Sequence, residues 1–492
     1  MSVFKKLTVN GKNIEEFAIY VDGDTSVNSK VPIKTVVYAE KLSSLFEEKY
    51  IGKALPIVDK IEDGNYIILS GHSTDANAYS VKISEGNIYI SGNFISVTNA
   101  FEYFTEKMLG EGEGRELDLT STDDFEGSLG YKIPYTAEQV KDLFKLSQER
   151  GDMIISGTHT WGSWGNGSQV GDTWGYSIQK CGHCAAILEL DVGRYSVYSP
   201  AHAGVDTFSD FDLSMIVAES AKFIDAGGII SVCIHMSNPL MNAPDNVFYR
   251  GRLGSNEVAD ELLTKGTELN KKLYETLDPT IRLLRAFKQN GLPFMFRPLH
   301  EINGDWFWWC INQKEDVYLS RDILVRFWKF FYTLVTEELG IDNSVWIYSP
   351  SSNAADQAYK PSNLYAYPGD KYVDVVGCDW YTGGDYEIEK FSTYENLEST
   401  EKPIALTEFG PGDYSKYAVR NEEGKLVSFN FTGYDFLEIL ENLRSRGKKI
   451  CYFLTWTYNR STGTMPESKA LLESDIVMSL EDVAEYWKKI NK

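Results

Sequence analysis

The chain has 492 residues, 43% hydrophobic and 13% aromatic, and a formal net charge of −23. This length predicts two or three domains. The negative charge argues against nucleic acid and against an anionic membrane as partners, because both would be repelled. It fits a neutral or cationic ligand. The aromatic content suits a cleft whose rings stack on the C–H faces of sugars, although such rings line many other kinds of binding site.

The N-terminus and the cysteines bear on location and on metal binding. Residues 1–20 lack the apolar core of a signal peptide, and no run reaches transmembrane length. We therefore expect a cytoplasmic protein or, alternatively, a secreted one whose signal peptide is absent from this sequence. Cys181 and Cys184 form a C-x-x-C pair around His183. A structural zinc site normally needs a second pair, so we predict no metal and no cofactor.

Residues 1–110 predict a small α+β module. Strand patterns in "EEFAIYV" and "YIILSG" alternate with helical patterns at 35–49 and 95–109. The runs "AYSVKI" and "IYISG" flank Ser84 to Asn87 and predict a β-hairpin with a glycine-containing turn. Residues 111–135 are rich in glycine and acidic residues and poor in large apolar side chains, which predicts a linker or an exposed loop.

From residue 136 to the C-terminus, eight short apolar runs alternate with helical patterns. The runs cover 153–159, 185–192, 228–236, 293–301, 344–350, 373–381, 403–410 and 450–457. Amphipathic patterns at 213–226, 257–289, 318–338 and 433–447 predict helices between them. Continuous apolar runs are typical of parallel strands that are buried on both faces. Eight such units predict an α/β fold, a (β/α)8 TIM barrel over 136–492.

Polar residues collect at the C-terminal ends of these runs, where a TIM barrel places its active site. They are His159, His235, His300, Glu301, Asp379, Tyr381, Glu408 and Trp456. Glycoside hydrolysis requires two carboxyl groups that flank the scissile bond, and Glu301 and Glu408 end the fourth and seventh runs. Other barrels also place acids there, so the pair alone is not specific. Three tryptophans that follow Glu301 predict either a sugar platform or a self-packed loop: Trp306, Trp308 and Trp309.

The sequence resembles glycoside hydrolase family 26 over 136–492. The matching motifs are "GGIISVCIHMSNPL", "RPLHEINGDWFWW", "YPGDKYVDVVGCDWY" and "LTEFG", in the family's order and spacing. The resemblance implies a retaining glycosidase that cleaves β-1,4-mannosidic linkages in mannan-type polysaccharides or manno-oligosaccharides by double displacement. Some family members cleave β-1,3-1,4-glucan or β-1,3-xylan, so these two activities remain alternatives. Ile234 precedes His235 where many members carry tryptophan, so the sugar preference stays open.

The resemblance also implies roles for individual residues. Glu301 corresponds to the general acid/base and Glu408 to the nucleophile, with the carboxyl separation of roughly 5–5.5 Å that retaining enzymes use. The substrate-binding residues are expected to be His235, His300, Trp306 and Tyr381, with Trp456 and His159 added as residues at strand ends. We expect His300 to be neutral and hydrogen-bonded, and Trp306 to raise the pKa of Glu301 by desolvation.

Two other functions remain compatible with such a barrel. A noncatalytic glycan-binding barrel is expected to have lost one of the two carboxyl groups, and both are present. A metal-dependent hydrolase could use His159, His235 and His300, but such sites often have His-x-His on the first strand, where this chain has "GTHTW". Residues 1–110 resemble the noncatalytic α+β domain that precedes the barrel in α-glucuronidases and hexosaminidases, which implies a module without catalytic residues.

Overall fold

The computed structural model describes residues 4–23, 34–111, 114–160, 169–192, 210–242, 245–314, 317–352, 362–382, 393–412, 417–431, 433–456, 461–463, 465 and 467–492. These residues form two compact units, one built mainly from residues before Ile133 and one mainly from Ile133 onward. None of the helices in the described residues is both long and apolar enough to cross a membrane.

The N-terminal unit has the α+β architecture that its sequence predicts. Its six-stranded sheet has the spatial order Ile57–Val58, Phe17–Asp22, Asn65–Ser70, Asn87–Gly92, Ala78–Ser84 and Phe125–Ser128. A three-stranded sheet has the order Lys12–Asn13, Lys6–Val9 and Glu116–Leu119. Helices Lys34–Leu45 and Val97–Glu102 continue in wider π-type turns, Phe46–Tyr50 and Tyr103–Leu109. Apolar side chains of the larger sheet and of both helices share one core.

The predicted hairpin in this unit is confirmed. Ala78–Ser84 and Asn87–Gly92 pair antiparallel, with Ser84 opposite Asn87. The two residues between them, Glu85 and Gly86, have φ values of 51° and 83°. Positive φ at both positions is the geometry of the tight hairpin turn whose twist matches that of the strands.

The segment predicted as a linker, 111–135, contains two short strands. Glu116–Leu119 pairs parallel with Lys6–Val9, and Phe125–Ser128 pairs antiparallel with Ala78–Ser84. The composition of the whole segment hides them, because each strand has only four residues and is flanked by glycine and acidic side chains. The linker prediction is therefore wrong for these eight residues, which complete the sheets of the N-terminal unit.

The second unit is the predicted (β/α)8 barrel. Its parallel strands are β1 (Gly157–His159), β2 (Ile187–Asp191), β3 (Ile229–Cys233), β4 (Phe294–Arg297), β5 (Ser344–Tyr348), β6 (Val375–Thr382), β7 (Ile404–Pro411) and β8 (Tyr452–Thr455). Neighbours in this order are hydrogen-bonded, and Thr158 pairs with Thr455, which closes the barrel. All eight apolar runs therefore form strands where they were predicted.

One helix precedes β1, and further helices lie between and after the barrel strands along the chain. They are Ala137–Arg150, Gln169–Cys181, Asp210–Asp225, Asn256–Leu263, Glu268–Gln289, Arg321–Thr333, Thr393–Glu398, Phe436–Ser445, Ser468–Leu472 and Leu480–Ile490. The predicted 257–289 helix is two helices, because Gly266 has φ 93° and Thr267 caps the second one through the N–H of Asn270. The other three predicted helices form, and the first ends at Asp225 rather than at 226.

Candidate active site

The turn after β4 carries Glu301 in an unusual backbone conformation. β4 ends at Arg297 and not at Glu301, because Pro298 has no N–H to continue the ladder. Leu299 and Glu301 have φ values of 53° and 52°, which costs residues with side chains of order 1 kcal/mol each. The N–H of Glu301 donates to the carbonyl of Ser349 over 2.7 Å. The residue after the neighbouring strand β5 therefore holds Glu301 at the barrel mouth.

The surroundings of the Glu301 carboxyl group favour its protonated form. Burial, and then the charges of Asp379 and Glu408, raise the pKa of Glu301 well above its ordinary value. The indole N–H of Trp306 donates to Glu301 Oε2 over 2.6 Å and opposes that rise. The expectation from the sequence concerned desolvation by Trp306 and did not include this hydrogen bond, which lowers the pKa of Glu301 because it favours the charged form.

Glu408 lies inside β7, at a point where an extra residue bends the strand. Leu406 and Glu408 pair with consecutive residues of β6, Cys378 and Asp379, so Thr407 has no opposite residue. The pairing of β7 with β8 shifts at the same place. Such a bulge redirects side chains and is common beside active sites. Here it places Glu408 directly opposite Asp379.

Each carboxylate oxygen of Glu408 accepts one strong hydrogen bond. Arg297 Nη2 donates to Oε1 over 3.0 Å, and the hydroxyl of Tyr381 donates to Oε2 over 2.5 Å. Glu408 is buried, whereas Tyr381 at the end of β6 is half-buried. The two donors fix the orientation of the Glu408 side chain.

Arg297 is the cation at the centre of a buried network of acids. Besides Glu408, it donates to Glu189 Oε2 over 2.7 Å and to Asp379 Oδ2 over 3.3 Å. Glu189 also lies 2.7 Å from His159 Nε2. Burial raises the pKa of Glu189, but Arg297 and His159 together hold it well below its ordinary value. The network therefore contains charged acids although it is closed to water.

Asp379 raises the pKa of Glu301 through its charge without being its hydrogen-bond partner. Its Oδ1 accepts from the hydroxyls of Ser349 and Thr407 over 2.7 and 2.8 Å. Burial, and then the charge of Glu408, raise the pKa of Asp379 well above its ordinary value, and the guanidinium of Arg297 and these two hydroxyl bonds only partly oppose that rise. The sequence analysis places Asp379 among the polar residues at strand ends, and these contacts give it a structural role there.

We expect Arg297→Met to lower the free energy of unfolding by about 3–5 kcal/mol, because it leaves buried carboxylates without their cation. Urea denaturation at neutral pH measures the change. Arg150→Met is the matched control, since Arg150 pairs with Asp152 at an exposed site. The control should barely change the unfolding midpoint. An equally small effect for Arg297→Met would show that the network does not stabilise the barrel.

His235 follows β3 and is enclosed by rings. The ring centroids of Phe248, His300 and Phe307 lie 4.6, 4.4 and 5.3 Å from that of His235. Both histidines are buried. The structure thus brings together two of the predicted sugar-binding histidines, which lie after different strands.

Hydrogen bonds order this histidine pair. Asp191 Oδ2 lies 2.8 Å from His235 Nδ1, and His235 Nε2 lies 3.1 Å from His300 Nε2. Burial, and then the charges of His235 and Arg297, lower the pKa of His300 well below its ordinary value. His300 is consequently neutral near pH 7, consistent with the expectation from the sequence.

His159 and Trp456 lie against each other at the ends of β1 and β8. Their ring centroids are 4.1 Å apart, and Trp456 is half-buried whereas His159 is buried. The centroid of Trp456 is also 6.0 Å from that of His235. Trp456 is therefore the ring of this group that retains exposure for a ligand.

Three buried side chains have the arrangement of possible metal ligands. His159, Asp191 and Cys233 each offer one atom within 4.8 Å of the others. His159 Nε2 already lies 2.7 Å from Glu189, and Asp191 Oδ2 already contacts His235. We therefore assign these side chains to the hydrogen-bond network of the barrel.

The C-x-x-C pair lies at the end of helix Gln169–Cys181. Cys181 and Cys184 are free and buried, and Cys181 Sγ donates to the carbonyls of Ser177 and His183 over 3.1 and 3.2 Å. Burial raises the pKa of the Cys184 thiol above its ordinary value. Both groups have the properties of structural thiols.

The tryptophans after Glu301 divide into two classes. Trp308 and Trp309 are completely buried, and their indole N–H groups donate to the carbonyls of Met236 and His300 over 2.9 and 3.0 Å. They pack the loop and cannot stack on a sugar. Trp306 is half-buried and contacts Glu301, so the platform interpretation survives for this residue alone of the three.

We expect Trp306→Phe to move the basic limb of the pH profile of kcat/KM to higher pH. The substitution removes the hydrogen bond that lowers the pKa of Glu301, and a general acid is lost only above its pKa. At the optimum, kcat/KM should fall about 10-fold through the lost contact. Trp487→Phe is the matched control, because it removes a buried indole bond to Gly227 elsewhere. Identical profiles for the two variants would contradict the assignment.

The sequence interpretation missed Glu189, Asp191 and Arg297. All three are charged residues inside apolar strand runs, "AAILELDV" and "PFMFRPLHE". Charged side chains are rarely fully buried unless they are paired, so their position was the available signal. Glu189 and Asp191 are two residues apart and face the same side of β2.

The profile of the family described as "Glycosyl hydrolase family 26" matches residues 134–462. A mannan endo-1,4-beta-mannosidase of Bacillus subtilis is 30% identical over 261 residues, which span 52% of this chain and 64% of that protein. One from Bacillus subtilis strain 168 is 30% identical over 248 residues, which span 48% and 62%. Endoglucanase H of Acetivibrio thermocellus is 30% identical over 142 residues, which span 27% and 15%. In each case, the aligned region covers less than two thirds of the relative's own length.

Solved structures show the same fold. The YdhT protein from Bacillus subtilis superposes with a TM-score of 0.56 at 22% identity and covers 70% of this chain and 92% of its own. Bacillus subtilis mannanase man26 gives a TM-score of 0.54 at 23% identity with the same coverage. Because the family profile matches more than half of the chain, in the part that forms the barrel, the chain belongs to glycosyl hydrolase family 26.

Proposed function

We propose that the protein is a retaining β-glycosidase with Glu301 as general acid/base and Glu408 as nucleophile. The observation that carries the proposal is the contrast between these two carboxyl groups at one barrel mouth. Glu301 has a raised pKa and makes no ion pair within the described residues, whereas Glu408 is bound by Arg297 and Tyr381. Environments that separate the protonation of two nearby carboxyl groups are those of an acid and a nucleophile.

In the first step, Glu408 attacks the anomeric carbon while Glu301 gives its proton to the glycosidic oxygen. The bond to the leaving sugar breaks, and a covalent glycosyl–enzyme ester forms. In the second step, Glu301 takes a proton from water, the water oxygen attacks the same carbon, and Glu408 leaves as a carboxylate. Two inversions at the anomeric carbon give net retention of its configuration. The hydroxyl of Tyr381 donates a hydrogen bond to Glu408 whenever Glu408 is a carboxylate.

The pKa of Glu301 has to fall between the two steps. Of the three causes that raise it, burial and the charge of Asp379 persist, while the charge of Glu408 vanishes in the ester. The fall is therefore partial, and the bond from Trp306 lowers the pKa in both states. This balance lets one carboxyl group serve first as acid and then as base.

We propose β-1,4-mannan or manno-oligosaccharides as the substrate. The support is the name shared by two relatives at 30% identity, mannan endo-1,4-beta-mannosidase. One shorter match is to a protein named Endoglucanase H, which keeps β-glucan as the second candidate. Residue 234, which precedes His235, is isoleucine where many family members carry tryptophan. The family pattern at this position therefore does not decide the sugar preference.

The test is hydrolysis of a panel of pure β-1,4-mannan, lichenan and β-1,3-xylan, with Glu408→Gln as the negative control. Reducing sugar should appear from mannan, and NMR should show the β-anomer as the first product. A first product in the α-configuration would reject the retaining mechanism. Release from lichenan or xylan alone would reject mannan as the substrate. In a crystal structure, the carboxyl groups of Glu301 and Glu408 are expected to lie about 5–5.5 Å apart.

A further inference from the structure

Asp191, His235 and His300 form a hydrogen-bonded chain that ends on an unpartnered atom. The contacts are 2.8 Å between Asp191 Oδ2 and His235 Nδ1, and 3.1 Å between the two Nε2 atoms. All three residues are almost completely buried, at 1%, 3% and 1% exposure. Within the described part of the chain, Nδ1 of His300 at one end has no hydrogen-bond partner, and neither has Oδ1 of Asp191 at the other end. A buried polar atom without a partner is costly. Because His300 directly precedes Glu301, a ligand is the candidate partner of its Nδ1.

The contacts of His235 decide where the protons lie. A carboxylate can only accept, so Nδ1 of His235 carries a hydrogen that it donates to Asp191. A neutral His235 then has a lone pair at Nε2, which accepts from an Nε2–H of His300. A neutral His300 with its proton on Nε2 has a lone pair at Nδ1. The lowered pKa of His300 agrees with the neutral form.

We propose that Asp191 is a positioning residue, which acts through His235 to fix the tautomer of His300 so that Nδ1 accepts a hydrogen bond from a substrate hydroxyl. This inference rests on the proposed function, because a sugar supplies the hydroxyl. His300 directly precedes Glu301, so a hydroxyl bound at Nδ1 belongs to a sugar next to the reacting bond. Asp191 itself touches neither that sugar nor Glu301.

A different proton arrangement is chemically possible and gives the opposite prediction. If His235 were doubly protonated, its Nε2–H would donate to Nε2 of His300. The proton of a neutral His300 would then lie on Nδ1, which would act as a donor. Which of the ring nitrogens Nδ1 and Nε2 carry a proton, in His235 and in His300, therefore distinguishes the two arrangements.

Nitrogen-15 NMR of the full-length protein with labelled histidine measures these four positions without substrate. The chain has six histidines, so His235→Gln and His300→Gln spectra assign the signals. Near neutral pH, we expect protonated Nδ1 and bare Nε2 in His235, and the reverse in His300. A doubly protonated His235, or a protonated Nδ1 in His300, overturns the proposal. Because this readout needs no substrate, its failure is distinct from failure of the proposed function.

Asp191→Leu should remove the preference for this tautomer pair, because Nδ1 of His235 loses its acceptor, so signals of the opposite ring protonation should appear. Unchanged ring protonation in a folded Asp191→Leu protein overturns the proposal. The matched control is Cys451→Ser, at a buried cysteine that directly precedes β8. It should keep the wild-type tautomers.

If Asp191→Leu does not fold, a double-mutant cycle on kcat/KM tests the same coupling between Asp191 and His300. Asp191→Asn keeps the shape of the side chain but no longer imposes the tautomer through a charge. It should lower kcat/KM roughly 10- to 100-fold. In a His300→Gln background the same change should cost less than about 3-fold, because the amide of glutamine can rotate to present its oxygen whatever His235 does. Equal losses in both backgrounds indicate a merely structural role and overturn the proposal.

Discussion

Replacement of Glu408 by glutamine is expected to lower kcat by roughly 10⁵-fold or more on every substrate, because an amide cannot form the glycosyl–enzyme ester. The fold should survive, since the amide oxygen can still accept from Arg297, and Tyr381 can still bond to the amide group. Initial rates on mannan and on an aryl β-glycoside measure the loss. Exposed Glu438, on helix Phe436–Ser445, offers the matched control Glu438→Gln, which should retain full activity.

Chemical rescue separates loss of the nucleophile from general damage. In Glu408→Ala, azide can enter the space of the missing side chain and attack the anomeric carbon of an activated aryl glycoside. The aryl group leaves, and the product is the glycosyl azide of inverted, α-configuration. Recovery of activity with a β-configured azide, or substantial activity of Glu408→Gln on all substrates, would assign the nucleophile to another residue.

The architecture of the barrel could be predicted because each strand is short and continuously apolar. All eight runs form strands, and polar residues at their ends meet at one face, since parallel strands all end on the same side. The exact ends of the strands could not be predicted. β4 stops at Arg297 and Glu301 sits in a left-handed turn, while β7 runs past Glu408 with a bulge at Thr407. Both features depend on hydrogen bonds from neighbouring strands.

The environment of the site was harder to predict than its members. The sequence indicates Glu301 and Glu408 but not that Arg297 and Glu189 balance them, because partners across a barrel are distant in the chain. Glu189 and Arg297 are 108 positions apart. Trp308 has the same local pattern as Trp306 yet is completely buried, because the fold of the loop decides which ring faces outward.

Removal of the Glu301 carboxyl group should affect substrates unequally. Glu301→Ala is expected to lose about 10²- to 10⁴-fold of kcat/KM on mannan, where the leaving oxygen needs a proton. On an aryl glycoside with a good leaving group, the first step needs little protonation, so that step should be much less affected. Equal losses on both substrates would show that Glu301 is not the general acid. Azide should accelerate the second step, which lacks its base, and yield a β-configured azide.

The pH profile tests how Glu301 holds its proton. The pKa of a buried acid is raised, so the acid is active below that pKa, and activity falls as pH rises through it. Glu301→Ala should therefore lose the basic limb of the kcat/KM profile on aryl glycosides. A direct titration of Glu301 in Glu408→Gln should give a lower pKa than in wild type, because one of the two negative charges is gone. The pKa should still lie above that of an ordinary glutamate, because burial and Asp379 remain. A pKa unchanged by Glu408→Gln would exclude charge coupling between the two carboxyl groups, and a fall to the ordinary value would exclude burial as the main cause.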